Sequence, residues 1–188
     1  LCLMILFYVY LRLFRKQFYN SKRIVTLLLM MIVGFCVATS LIITHTSASL
    51  VYVIPFALLP IIISTFFDTR TALYANYITI FISSLVVPSP FEFVLLQATA
   101  GMVTISSLRD LSQRSQLIRT AIIIFFTYCL FFLGYGLTSD SSIFEVNWIT
   151  FVFFLINGIL LLFAYPFIYI IEQIFGFISN VRLIELSD

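Results

Sequence analysis

The chain is a succession of apolar runs of bilayer-crossing length, separated by connections of a few residues. An α-helix rises about 1.5 Å per residue and the hydrocarbon layer is roughly 30 Å thick, so runs of about 17 to 25 apolar residues are the natural units. Seven candidates stand out, at residues 1–13, 24–44, 50–67, 71–87, 91–108, 118–137 and 147–171. They are apolar on every face, whereas the strands of a membrane β-barrel alternate apolar and polar residues over about ten positions. The expected fold is all-α: a polytopic membrane protein, a bundle of seven transmembrane helices. The connections at 46–49, 68–70 and 88–90 are tight enough to make successive helices antiparallel neighbours.

Composition agrees. With 62% hydrophobic and 10% charged residues and a mean hydropathy of +1.16, the chain has too little polar surface to coat a water-soluble domain. The first run is too short to cross alone and passes from apolar to basic, the reverse of a secretory signal peptide. It reads as a span leaving the bilayer, and the whole chain as one module of a longer protein. Cys2, Cys36 and Cys129 lie far apart inside apolar runs, where thiols behave as small hydrophobes, so neither a disulfide framework nor a zinc site is expected.

The ten basic residues orient the bundle. Arg12, Arg15, Lys16, Lys22 and Arg23 fall between the first two spans, Arg70 between the third and fourth, Arg109, Arg114 and Arg119 between the fifth and sixth, and Arg182 after the seventh. All belong to one side. The other side holds His45, Glu92, Asp140 and Glu145 without a lysine or arginine. The positive-inside rule then places the basic loops and the C-terminus in the cytoplasm and the N-terminus outside. Trp148 and Tyr135 fall near the outer surface, where an aromatic belt would put them. The basic loops are also able to attract anionic lipid headgroups, although topology alone explains them.

Residues able to do chemistry are scarce. No ionisable group stands at mid-span, where its burial would mark an ion-coupled pathway. Glu92 follows Pro90 at an outer helix start, a position a carboxylate occupies for the helix dipole alone. His45 has no metal-ligand partner at suitable spacing, and as the only histidine it lends little to a serine nucleophile, which needs a base within hydrogen-bond reach. Gly134-Tyr135-Gly136 reads as a helix breaker rather than a phosphate loop. Asn76, Gln97 and Asn157, with Thr99 and Thr104, are the uncharged polar residues of the spans: they either hydrogen-bond between helices or line a ligand pocket. Pro55, Pro60 and Pro166 remove backbone donors inside apparent spans and can kink them. Residues 172–188 are too polar for the bilayer and too apolar for a free tail, as befits a juxtamembrane connector packed on a further domain.

The C-terminal text carries a resemblance. Asn157-Gly158-Ile159-Leu160, Pro166, Glu172, Phe175-Gly176 and Arg182-Leu183-Ile184-Glu185-Leu186-Ser187-Asp188 resemble the end of the membrane region in bacterial seven-transmembrane receptors with an intracellular HD hydrolase domain, the membrane-bound cyclic di-AMP phosphodiesterases of the PgpH type. Pro55 followed by Asp68, Arg70 and Ala72, and Arg114-Ser115-Gln116 leading to Ala121, are similar to the same family's internal pattern. The likeness extends from about Val53 onward.

The resemblance implies an extracytoplasmic domain before the bundle and a metal-dependent HD phosphohydrolase after it, with a divalent metal pair whose ligands lie beyond Asp188. This chain is then not itself an enzyme and carries no cofactor of its own. Pro166, Glu172, Arg182, Glu185 and Leu186 correspond to the stretch coupling the last helix to the catalytic domain. The implied partners are the lipid bilayer of the bacterial cytoplasmic membrane, the parent's own two flanking domains and, as an open option, a second copy in a homodimer, with no nucleic acid. The function expected is a sensory and anchoring module for a cyclic di-AMP phosphodiesterase. A small-molecule transporter or substrate-binding membrane subunit, with Asn76, Gln97 and Asn157 around a midplane pocket, is the alternative, and an intramembrane hydrolase the third.

Overall fold

Proline decides where two of the apolar runs stop being single helices. The structure, a computed structural model, describes residues 2–15, 19, 21–107, 114–138 and 148–176, and among these every regular element is helical. α1 (Cys2–Phe14) and α2 (Lys22–His45) precede a 3-10 helix (Ala48–Val53) and α3 (Leu58–Phe66). Then follow α4 (Thr69–Ser84), α5 (Pro90–Ser107), α6 (Arg114–Thr138), α7 (Ile149–Leu161) and α8 (Ala164–Phe175).

The run at 50–67, expected as one helix, is therefore two pieces. Pro55 holds the preceding Ile54 in an extended conformation, φ −65° and ψ 118°. Pro60 falls in the first turn of α3, where its missing N–H costs no helical bond. The run at 147–171 is likewise broken, with α7 and α8 meeting at 44°. Pro166 cannot donate to the Leu162 carbonyl, so the chain closes two tight turns instead, Leu162 N–H to Ile159 O and Phe163 N–H to Leu160 O, both at 3.1 Å. Gly134 and Gly136, in contrast, break nothing: α6 runs through them to Thr138.

By length and composition, three stretches among the described residues are fit to cross a membrane, Lys22–His45, Ala48–Phe66 and Gln116–Gly136, and a fourth if the bent α7–α8 pair counts as one. α4 and α5 fall short for a physical reason. They are interior helices, and faces turned toward protein need not be greasy. Asn76, Thr79 and Ser83 of α4 and Gln97, Gly101 and Thr104 of α5 are all buried, at spacings that align each set along one helix face. Gly101 lies against the Asn76 amide, so closely that a side chain there would collide with it. Thr79 and Thr104 return their hydroxyls to their own helices, to Ala75 O and Ala100 O. Small residues admit this close approach where no hydrophobic force draws helices together in lipid.

α3 is the axle. Seven of its nine residues are buried, and it packs on α4, α5 and α8. α2 and α6 take the outside, exposing Met30, Val33, Val37 and Leu41 on one and Ile118, Ile122, Phe126 and Leu130 on the other. Apolar stripes of that extent belong against lipid.

The described basic residues gather at one end. Arg15 pairs with Asp68 at 2.6 Å, joining the end of α1 to the start of α4. Asp68 also caps α4, accepting from the Thr71 N–H at 3.2 Å and its hydroxyl at 2.7 Å. Arg23, at the start of α2, reaches the C-terminal Gly176 of α8, where the carbonyl end of a helix favours a cation. Lys22 and Arg70 occupy the first turns of α2 and α4 and Arg119 the second turn of α6, and a Ser107–Thr120 hydroxyl contact of 2.9 Å ties α5 to α6 there. Arg12 ends α1 and Arg114 begins α6. Lys16, Arg109, Arg182, Glu185, Leu186, Asp140 and Glu145 lie outside the described residues, as does most of the connector at 172–188.

Candidate functional site

The polar interior is organised around a missing proton donor. In the 3-10 helix each carbonyl looks three residues ahead, and for Tyr52 that residue is Pro55, which has no N–H. Asn157, on α7, supplies the substitute: its Nδ2 donates to Tyr52 O and to Ile54 O, both at 2.9 Å. A buried carbonyl without a partner costs about 1–3 kcal/mol, so one amide side chain repairs the backbone of a broken span more than 100 residues away in sequence.

A chain of contacts extends from this clamp in two directions. The Tyr128 hydroxyl of α6 borders Asn157 and donates to Gln97 Oε1 of α5 at 2.6 Å. Its ring stacks on Phe154 at 5.1 Å, and Phe154 in turn meets Tyr52 edge-on at 5.7 Å. In the other direction the Tyr52 hydroxyl donates to Glu92 Oε1 at 2.8 Å. Glu92 thus has a protein partner besides the N-terminus of α5.

That carboxylate opens into a cleft of about 210 Å³ at the end of the bundle opposite the described arginines and lysines. Ala48, Ser49 and Tyr52 form one wall, Val87, Pro88, Ser89 and Glu92 a second, and Phe132 and Thr150 the third. Phe91 and Tyr135 stand together at this end with ring centroids 6.0 Å apart, and Trp148 leans on Phe151 at 5.5 Å. A second cavity, about 360 Å³, is an apolar groove between α6 and α7 lined by Ala121, Phe125 and Gly158 among others. Among the described residues no group of three or more His, Cys, Asp or Glu side chains stands close enough together to hold a metal ion.

The geometry accords with one comparison. A family model described as a 7TM receptor with intracellular HD hydrolase matches residues 1–179. The chain belongs to this family. No curated protein and no solved structure matches it. Membership in the 7TM receptor family extends the likeness read from the sequence, which began near Val53, back to the first residue. It also places a multi-pass membrane bundle and an HD hydrolase in the same receptor architecture.

Of the residues singled out in the sequence, Gln97 and Asn157 come together around Tyr128, and Asn76 sits one turn of α5 along the same seam, against Gly101. Asn157 and Gln97 each commit hydrogen bonds to protein. One amide atom of Gln97, one of Asn157 and both of Asn76 are buried without a hydrogen-bond partner among the described residues. Pro166 is exposed in the first turn of α8, and Glu172 is buried near its end. Tyr52, Tyr128 and Thr150 went unnoticed. A signal did exist for Tyr52: a residue three before an in-span proline has a carbonyl in need of a donor, and an asparagine in another span is the natural source. Nothing local marked Tyr128 or Thr150.

Proposed function

We propose that this bundle is the sensory and anchoring module of a membrane-bound phosphodiesterase, passing an extracytoplasmic or membrane signal through α7 and α8 to a cytoplasmic HD-type domain that hydrolyses cyclic di-AMP. The observation that carries it is the clamp: Asn157 ties α7 to the 3-10 helix just before the 44° break that leads into α8. A signal shifts activity only if it binds or strains two arrangements differently. A helix pinned on one side of a break and jointed there through exposed turn residues is an element able to take two such arrangements.

In this reading the basic end faces the cytoplasm of a bacterium, in accord with the positive-inside rule. α8 leads from the break toward that end, its buried face of Ala164, Ile168, Ile171 and Glu172 held in the bundle. Pro166 sets the break, and Arg182, Glu185 and Leu186 belong to the connector that carries the movement onward. The divalent metal pair and its ligands belong to the hydrolase domain of the parent, and the bundle supplies no reacting group. A transporter would need Asn76, Gln97 and Asn157 to face a solute, whereas Asn157 and Gln97 bond to protein.

The test is to replace residues 182–188 by a flexible linker of equal length in the full-length protein and to follow cyclic di-AMP hydrolysis in membranes. Loss of regulation with hydrolysis retained is the expected result. Regulation that survives the linker rules out coupling through this stretch.

A further inference from the structure

The cleft at Glu92 has the makings of a binding site. Among the described residues its only charged lining group is the Glu92 carboxylate, and the Tyr52 hydroxyl is the single side chain that hydrogen-bonds to it. Facing it from α7 is Thr150, only 3% exposed. In mid-helix a threonine hydroxyl turns back to the carbonyl four residues earlier, as Thr39, Thr65 and Thr79 do here. Thr150 stands in the first turn of α7, has no such carbonyl within its helix, and carries no side-chain hydrogen bond among the described residues. Its hydroxyl is not one of the enclosed orphans of the interior, so it is open to the cleft it lines. The hydroxyl of a buried threonine and a half-buried carboxylate thus line one cavity from two different helices.

We infer that this cleft binds a small primary ammonium group, held between Glu92 of α5 and Thr150 of α7. An ammonium presents three donors and no acceptor, matching a lining whose polar side chains, among the described residues, are a carboxylate and the hydroxyls of Ser49, Tyr52, Ser89 and Thr150, with the Phe132 ring beside them. An anion would meet the carboxylate with no cation to offset it. A calcium ion takes six to eight oxygen ligands, usually several of them carboxylate, and among the described residues one carboxylate lines this cleft. At about 210 Å³ the space suits a headgroup or a free amine rather than a drug-sized molecule. An occupant drawing on Glu92 shares that carboxylate with the Tyr52 hydroxyl, and Tyr52 is the residue whose carbonyl Asn157 holds. The inference deepens the sensory reading and rests on it for the consequence of binding, while binding itself requires no hydrolase domain.

The measurement is calorimetric titration of the full chain in phosphatidylglycerol nanodiscs at neutral pH with ethanolamine, N-acetylethanolamine and calcium chloride. Ethanolamine is expected to bind and its uncharged acetylated analogue not to. Glu92→Gln should weaken the affinity about tenfold or more, as loss of a charge-assisted bond does. Thr150→Val should weaken it severalfold while leaving the melting temperature unchanged, which keeps the test decisive if Glu92→Gln folds poorly. Nanodiscs containing phosphatidylethanolamine separate the two sources of the same chemistry: abolished binding of added ethanolamine identifies the lipid headgroup, and unchanged binding identifies a free amine. The inference is overturned if ethanolamine gives no heat, if both variants bind it as the original does, or if calcium displaces it at equal concentration.

Discussion

The two broken spans differ in how each break is treated. At Pro55 the orphaned carbonyl is buried and is given a replacement donor, Asn157, while the surrounding Tyr52, Ile54 and Phe56 are each at most 7% exposed. At Pro166 the turn residues Leu162 and Phe163 are 40% and 52% exposed; their N–H groups close local turns, and no side chain among the described residues is shown donating to the Leu162 carbonyl. The same chemical defect therefore serves two purposes. Where a partner from another helix repairs it, the defect pins the bundle together; where nothing does, it leaves a joint.

The strongest way to break this contrast is Asn157→Leu, which keeps the volume and removes the donor. It should cost about 2–4 kcal/mol in unfolding from mild detergent, since the Tyr52 and Ile54 carbonyls both lose the Asn157 donor. A loss near the roughly 0.6 kcal/mol average for interhelical bonds in membranes would mean that the pin is dispensable. Gly101→Ala should follow at about 1–3 kcal/mol, because the new methyl collides with Asn76. Gly134→Ala serves as its control: its added methyl meets nothing within 4 Å, and helix propensity makes it neutral or slightly stabilising. Combining Gly101→Ala with Asn76→Ala should recover most of the loss if the collision is its cause.

At the joint the expectation reverses, with a geometric effect larger than the energetic one. Pro166→Ala restores a donor to the Leu162 carbonyl, so spin labels at exposed Leu155 and Tyr169 should move apart as α7 and α8 straighten, with stability changed by less than about 1 kcal/mol. Unchanged label distances would show that packing against α3, not the proline, sets the bend. The smallest effect belongs to Arg15→Ala. Hydrogen bonding to Tyr10 and the charge of Asp68 hold the Arg15 guanidinium above its ordinary pKa, so the arginine stays charged through the neutral range. A solvent-accessible pair is nonetheless worth little: the melting temperature should move by no more than about 2 °C, and by less in high salt.

Much of the scaffold is legible in the sequence alone. The apolar runs announced helices, the arginines and lysines announced that the described basic residues share an end, and 157–160 with 182–188 announced the family. Residue 92 was noticed as a helix-start carboxylate but not as half of a cleft, because its partners Tyr52 and Thr150 lie 40 and 58 positions away. The run at 50–67 read as one helix because hydropathy sums over a window and is blind to which backbone group inside it has lost its partner. Gly134 and Gly136 misled in the opposite sense, since a helix embedded in lipid keeps its backbone bonds whatever the glycine content, water being absent to compete for them.

Solvent preference is a property of each residue, and so the sequence alone determined that this chain lives in lipid, as helices, with its described basic residues gathered at one end. Hydrogen bonds between distant segments are a property of pairs, which no local pattern encodes. Only the tertiary structure decided that Asn157 faces Tyr52 and Ile54, that Gly101 receives Asn76, and that Glu92 and Thr150 look into one cleft. In a bilayer interior each such pairing is settled by which buried donor lies nearest a buried acceptor once the helices have packed.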